Sequence, residues 1–257
     1  MHRFFVEKEQ IKGENVIITG SELKHISHAL RLEPGDRIII VPRENEQNIE
    51  YEVELKEFSR EEIIAEIREK RQVSNEPPVN IHLAQAIPKN KNMELVAEKT
   101  TELGVKKIIP LTTERTVVKL SEKKAQKRVA RWQRIVTAAA KQSQRGILPQ
   151  IAELQDLQEV EKITGKYDLV LFFWTGEQKK SLHYVLQDIR NNKQNNVENI
   201  LVLIGPEGGF SLREAELFTG SDNVYPVSLG PRILRTETAG LTVISILMYE
   251  FGGFNIC

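Results

Sequence analysis

The chain has 257 residues, 40% hydrophobic and 28% charged, with 36 basic side chains balanced by 36 acidic ones. That composition is ordinary for a soluble globular protein and excludes disordered, fibrous and disulfide-framework classes; the lone cysteine, Cys257, also excludes a cysteine-based metal site. Met1–Val6 runs into Glu7 and Lys8 without a signal-peptide core, and Leu241–Met248 is too short and too interrupted to span a bilayer, so the cytoplasm is the expected compartment.

In chain order, the first seventy residues read as a small β-rich unit. Phe4–Val6, Asn15–Ile18, Arg37–Val41 and Ile49–Leu55 have strand character, the last alternating apolar and acidic residues. Ser21–Leu30 reads as a helix with Ser21 as its cap, and Pro34-Gly35-Asp36 as a turn. Several short strands of this kind predict a compact barrel. Gln72–Pro78, with its Pro77-Pro78 pair, is the expected linker, dividing residues 1–72 from residues 73–257. Beyond it strands and helices alternate. Val79–Ala84, Lys107–Leu111, Tyr167–Phe173 and Ile200–Ile204 are the strands. Lys91–Leu103, Ser121–Gln142, Lys179–Arg190, Ser211–Phe218 and Glu237–Phe251 are the helices. Ser211 with Glu214 has the capping-box spacing, and 191–196 reads as an exposed loop. Repeated β–α units predict an α/β domain with a mostly parallel sheet.

Charge is unevenly placed. Residues 1–72 carry 12 basic and 16 acidic side chains, 73–150 carry 15 and 6, and 151–257 carry 9 and 14. Between Lys119 and Arg145 nine basic residues meet a single acid, Glu122. A solvated face ordinarily explains a charge run, but here the acidic partners at i,i+4 are missing, which points to phosphate.

Two glycine-bearing turns follow apolar runs: Gly205-Pro206-Glu207-Gly208-Gly209-Phe210-Ser211 after Ile200–Ile204, and Gly230-Pro231-Arg232-Ile233-Leu234-Arg235-Thr236-Glu237-Thr238-Ala239 after Val224–Leu229. Side by side at one end of a sheet, they would offer backbone groups to a flat polar ligand. Each glycine alone is explained by a tight connection, and neither a Walker loop nor a dinucleotide fingerprint is present. Thr236 or Thr238 would cap the final helix, with Glu237 a favourable first-turn charge. Capping leaves Arg232 and Arg235 unexplained, since cations are disfavoured at a helix N-terminus and suit an anionic or carbonyl-rich partner. His25, His28 and His82 lack a third ligand and read as surface or satisfied core histidines; no metal is expected, and no hydrolase motif is present.

On these residues the chain resembles the bacterial 16S ribosomal RNA uridine-N3 methyltransferases, the small-subunit methyltransferase E family of the SPOUT class. The likeness runs through Met1–Phe5, His25–Leu32 with Gly35-Asp36, Lys91–Glu94, Lys99–Val105, Gln142–Arg145, Ile204–Ser211 and Leu229–Ala239. Trp174–Glu177 stands at the family's first knot turn. The resemblance implies a C-terminal domain with a deep trefoil knot, preceded by a small PUA-like RNA-binding barrel, assembled as a homodimer. It implies S-adenosylmethionine as cofactor, held by Leu203, Ile204, Gly205, Pro206, Glu207, Gly208 and Gly209. The second loop would contribute Ser228, Leu229, Gly230, Arg232, Ile233 and Leu234, with Thr238 and Ala239 closing the pocket. It also implies methylation of a uridine of 16S rRNA near the decoding region, on the assembled 30S subunit. Beside those loops, Arg235 is the expected stabiliser of an anionic uracil, and Glu237 or Glu207 the proton acceptor or orienter. Arg3, Arg31, Lys124, Arg128, Arg131, Arg134 and Arg145 are the expected RNA contacts. The competing readings are a non-catalytic ribosome-associated RNA-binding protein, and a dehydrogenase that the missing fingerprint disfavours.

Overall fold

A computed structural model describes the chain except residues 46, 74, 91, 119, 175, 177–179, 192–196, 219 and 255–257. Lys91, Lys119, Thr175, Glu177, Lys179, the 192–196 loop and Cys257 therefore lie outside the described residues. The chain divides into two compact units, one of residues 1–76 with 140–148, the other of 77–139 with 149–254.

In the first unit, β1 (Arg3–Val6), β2 (Ile11–Lys12), β3 (Asn15–Thr19), β4 (Arg37–Pro42), β5 (Ile49–Phe58) and β6 (Glu62–Gln72) form one sheet in the order β1-β4-β5-β6-β3-β2. β1 pairs with β4 in parallel and the other pairs are antiparallel. Phe4, Val6, Ile18, Ile26, Ile38, Ile40, Val53, Leu55 and Ile63 form its core. Neither β2 nor β6 was expected. β6 ends in the exposed, charge-laden run Arg68-Glu69-Lys70-Arg71, which has no strand-forming pattern of its own. Charges across to β5 hold it instead: Arg68 bridges Glu54 and Arg71 bridges Glu50, while Arg68 also pairs with Glu66 two residues back on β6 itself. Hydrogen bonds from Arg68 and Lys56 hold the Glu54 carboxyl down at about 2.

The expected helix is α1 (Gly20–Lys24) continued by a π-helical turn, His25–Leu30, and it starts one residue before the expected cap. Thr19, still extended at φ −130°, takes the cap position, so Ser21 lies inside the helix.

The boundary expected at 72 lies at 76, and residues 140–148, read as part of the second domain, fold with the first. Glu76 is the physical reason. Its carboxylate accepts from the backbone N–H of Gly146 (2.7 Å) and Ile147 (3.1 Å) and pairs with the buried Arg145 guanidinium (2.7 Å). Asn45 Nδ2 donates to the Gly146 carbonyl (2.8 Å), and Lys141 pairs with Glu22 at 2.6 Å. Gly146 has no room for a side chain, because a Cβ there would fall 2.0 Å from Val73.

The second unit runs β7 (Asn80–Ala86), α2 (Asn92–Glu102), β8 (Lys107–Thr112), α3 (Glu122–Gln142), β9 (Gln150–Ile151), β10 (Gln155–Asp156), α4 (Leu157–Glu161), β11 (Leu169–Phe173), α5 (Leu182–Asn191), β12 (Asn199–Ile204), α6 (Leu212–Glu216), β13 (Val224–Val227) and α7 (Thr236–Glu250). The last residues of α3 count with the first unit. The strands form a wholly parallel sheet in the order β10-β8-β7-β12-β11-β13, with β9 also on β8. The expected parallel sheet is therefore present. β9, β10 and α4 were not anticipated, although Asp156 and Glu159 form a capping box legible in the sequence. Stacked rings of Phe172 with Phe210 (4.6 Å) and Phe218 (4.9 Å) mark the core.

His82 is half-buried, its Nδ1 2.7 Å from the Tyr167 hydroxyl. Burial, reinforced by Lys107 and Lys106, pushes its pKa down to about 4.

Two consequences follow for stability. Glu76→Ala leaves the Arg145 charge buried without its partner, and should lower unfolding free energy by about 3 kcal/mol or more in a urea titration. His82 takes up a proton in the unfolded chain near 6.5 but in the folded one only near 4. The stability tied to its neutral form is thus complete above pH 6.5 and falls as pH drops towards 4. The loss is on the order of 3 kcal/mol at most. Denaturant midpoints on either side of this window should show it, and His82→Gln should flatten the dependence.

Candidate functional site at the carboxyl ends of the parallel strands

Because every strand of the second unit points the same way, the loops after β7, β12, β11 and β13 open on one edge of the sheet. The chain runs outward from β7 to β8 and β10, then resumes on the other side with β11 and β12, so strand order reverses beside β7. In open α/β sheets that edge is where ligands are bound.

The first turn leaves β12 with Leu203 and Ile204 buried, passes through the exposed Glu207 and Gly208, and returns to the core at Phe210. Each glycine has a local steric reason. A Cβ on Gly205 would lie 3.2 Å from the Phe210 ring, one on Gly208 would lie 3.3 Å from Arg115, and Gly209 has φ +67°. Ser211 caps α6 as its spacing predicts, with Glu214 reciprocating to Ser211 N–H (2.8 Å). The other Glu214 oxygen accepts from Glu114 N–H (2.7 Å), and the neighbouring Arg115 Nη1 donates to the Gly208 carbonyl (2.7 Å).

After β13 the second turn begins at Ser228, whose carbonyl accepts from Leu182 N–H (3.1 Å) and whose N–H donates to the Lys180 carbonyl (3.0 Å). Gly230 has φ +94°. Leu229 and Leu234 are half-buried, while Arg232, Ile233, Arg235 and Thr238 are exposed, Ile233 at 95%. Among the described residues neither Arg232 nor Arg235 has an ion-pair partner.

The turns do not follow neighbouring strands, because β11 lies between β12 and β13. They meet because the chain turns back. Thr236, the first residue of α7, donates its hydroxyl to the Gly205 carbonyl at 2.6 Å. This corrects the expected cap: Arg235 holds the N-cap position with no side-chain bond, and Thr236 binds the other turn instead. The end of β7, the loop after it and the first residue of α2 tie down both turns. Gln85 Nε2 donates to Thr236 Oγ1 (2.8 Å), Lys89 N–H to Glu207 Oε1 (2.9 Å), and Asn92 Nδ2 to Glu237 Oε1 (2.8 Å). Gln85, Asn92 and Arg115 were missed in the sequence, where nothing places them beside residues 93 to 151 positions away.

α3 divides cleanly. Ala125, Trp132, Val136 and Ala139 are buried along one side. Lys124, Lys127, Arg131 and Arg134 are exposed along the other, with Arg128 half-buried. Arg131 pairs with Glu94 at 3.0 Å. Arg31 is also exposed, at φ 54°. Arg3 and Arg145, expected as RNA contacts, are buried in ion pairs. Arg3 is bound to Glu50 at 2.6 Å and Arg145 to Glu76, with side chains only 8% and 5% exposed. Each guanidinium faces a carboxylate inside the first unit. Among the described residues no cluster of His, Cys, Asp and Glu could hold a metal ion, and no helix is long and apolar enough to cross a membrane.

Residues 75–248 match the model of an RNA methyltransferase domain family. The ribosomal RNA small subunit methyltransferase E of Bacillus subtilis is 33% identical over 253 residues, covering 97% of each chain. Among solved structures, a Legionella pneumophila protein in complex with the bound cofactor SAM is 32% identical, with TM-score 0.81 over 96% of each chain. The Neisseria gonorrhoeae ribosomal RNA small subunit methyltransferase E, bound to S-adenosyl methionine, is 28% identical, with TM-score 0.79 over 97% of each chain.

Proposed function

The chain belongs to the ribosomal RNA small subunit methyltransferase E family, and on that premise we propose that it binds S-adenosylmethionine at the two glycine turns and methylates N3 of a uridine in 16S rRNA, on the assembled 30S subunit. The Thr236–Gly205 hydrogen bond carries this reading, because it brings two separated turns into one site. Exposed backbone at Glu207–Gly208 and Gly230, beside a nearly fully exposed Ile233, suits a flat heterocycle with polar edges and apolar faces. Leu203–Gly209, Ser228–Gly230 and Arg232–Leu234 would form the pocket, with Thr238 and Ala239 at its side. S-adenosylmethionine supplies a methyl group on a sulfonium.

Uracil N3 has a pKa of about 10, like a tyrosine phenol, so it must lose its proton before its lone pair can attack. That pair forms the new N–C bond as the C–S bond breaks and its electrons return to sulfur. Arg235, exposed at the start of α7, is the proposed partner for the charge that develops on the uracil carbonyls. Glu237 and Glu207 are the proposed proton acceptor and orienter, held by Asn92 and by Lys89 N–H.

The exposed basic face of α3 and Arg31 are the proposed RNA contacts, and the six-stranded sheet of the first unit the PUA-like module. A trefoil knot is proposed for the second unit, supported by the return of the chain from β13 to Gly205 past the intervening β11. α7 is apolar on more than one side, burying Val243, Ile244, Leu247 and Met248 while exposing Ile246 and Tyr249, and the exposed side suits a second copy.

Labelled methyl transfer from S-adenosylmethionine should appear as 3-methyluridine, with more on unmodified 30S subunits than on free 16S rRNA. Arg235→Ala should lower kcat by about a hundredfold with the fold intact. Binding of the cofactor without any incorporation would discard this substrate. On α3, replacing Lys124, Lys127 and Arg134 by glutamine should weaken RNA binding and flatten its salt dependence by about one unit of slope for each phosphate no longer neutralised.

A further inference from the structure

Gln85 is fully buried near the carboxyl end of β7, between β8 and β12, where a parallel sheet ordinarily takes an apolar residue. Its Nε2 donates to Thr236 Oγ1 (2.8 Å) and to its neighbour's Ala86 carbonyl (3.2 Å). Its Oε1 finds no donor among the described residues. That oxygen lies against α7 at Gly240, where an added Cβ would stand 2.8 Å from it. Both features are unfavourable by themselves: a buried acceptor without a donor, and a glycine in a helix interior. Methionine at 85 would fill nearly the same volume without the orphaned oxygen. A polar group kept in a core against its own energetics is there for the geometry it imposes.

We infer that Gln85 is a positioning residue that locks the second glycine turn onto the first. Its amide occupies the acceptor side of the Thr236 hydroxyl, so the single hydroxyl hydrogen is directed to the Gly205 carbonyl. Arg235 and Glu237 flank Thr236, so any drift of that residue moves the two side chains proposed to face the uracil. Gly240 gives the glutamine its space. The consequence for catalysis rests on the methyltransferase reading; the lock itself does not.

The test uses the full chain in the variants Gln85→Met, Thr236→Val, Thr236→Ser and the Met/Val double. Amide hydrogen exchange over 205–211 and 236–240 is measured without cofactor, beside thermal unfolding, S-adenosylmethionine affinity by calorimetry, and kcat. Gln85→Met should speed exchange in both segments and weaken cofactor affinity or kcat by about tenfold, the worth of one hydrogen bond, while Tm holds or rises. Thr236→Val should do the same, the double variant should be no worse than either single one, and Thr236→Ser should restore most of the loss. Gln85→Met with exchange and affinity within about twofold of the parent, or falling only in step with Tm, would overturn the inference. If the parent protein binds no S-adenosylmethionine, the methyltransferase reading fails, and exchange alone decides whether the lock exists.

Discussion

The second unit depends on one short contact, the Thr236 hydroxyl on the Gly205 carbonyl. Adjacent strands lie about 4.8 Å apart, so with β11 between them the ends of β12 and β13 start about 10 Å apart. The chain must recross that gap before α7 can begin. Residues 229–235 are the span that does so, which is why an almost fully exposed isoleucine and two exposed arginines occur together there. The loop after β7 and the start of α2 work to the same end, taking Glu207 with the Lys89 N–H and Glu237 with the Asn92 amide.

The same residue type serves opposite purposes in the two units. Arg3 and Arg145 are buried against carboxylates, where losing either partner would strand a charge in a poorly hydrated place. Lys124, Lys127, Arg131 and Arg134 of α3 stand in water along one helix face, with Arg131 paired to Glu94. Such exposed pairs add little stability, so the face is free to answer to an external field of phosphates. Composition alone does not separate these cases; the partner's depth does. The first half of β6 is held by the burial of Ile63 and Ala65, and its charged end by pairs to Glu54 and Glu50, with the Glu54 carboxyl held down by Arg68 and Lys56.

Glu76 shows how a domain boundary can be set by one side chain. It follows a stretch with every mark of a linker, yet its carboxylate collects two backbone N–H groups and a guanidinium from residues 145–147. A segment seventy positions away is thereby drawn into the first unit. Nothing local to Gln72–Pro78 announces this, since acceptance of a distant N–H leaves no periodicity behind.

Local physics was readable in the chain. Apolar runs bounded by glycine became β12 and β13, strand–helix alternation became a parallel sheet, Ser211 and Glu214 formed their capping box, and the basic run before Arg145 became the long helix α3. The two turns stood out in the sequence from glycine placement and from arginines that helix capping does not explain. What the sequence determined, then, were features settled within a few residues by backbone sterics, hydrogen-bond capping and side-chain periodicity. The tertiary structure decided everything that depends on long-range pairing: β11 between the two turns, Thr236 on Gly205 rather than at a cap, Gln85 and Asn92 as anchors, and Glu76 holding Arg145 out of solvent. Those choices rest on pairings between residues 31 to 151 positions apart, whose geometry exists only once the sheet has assembled.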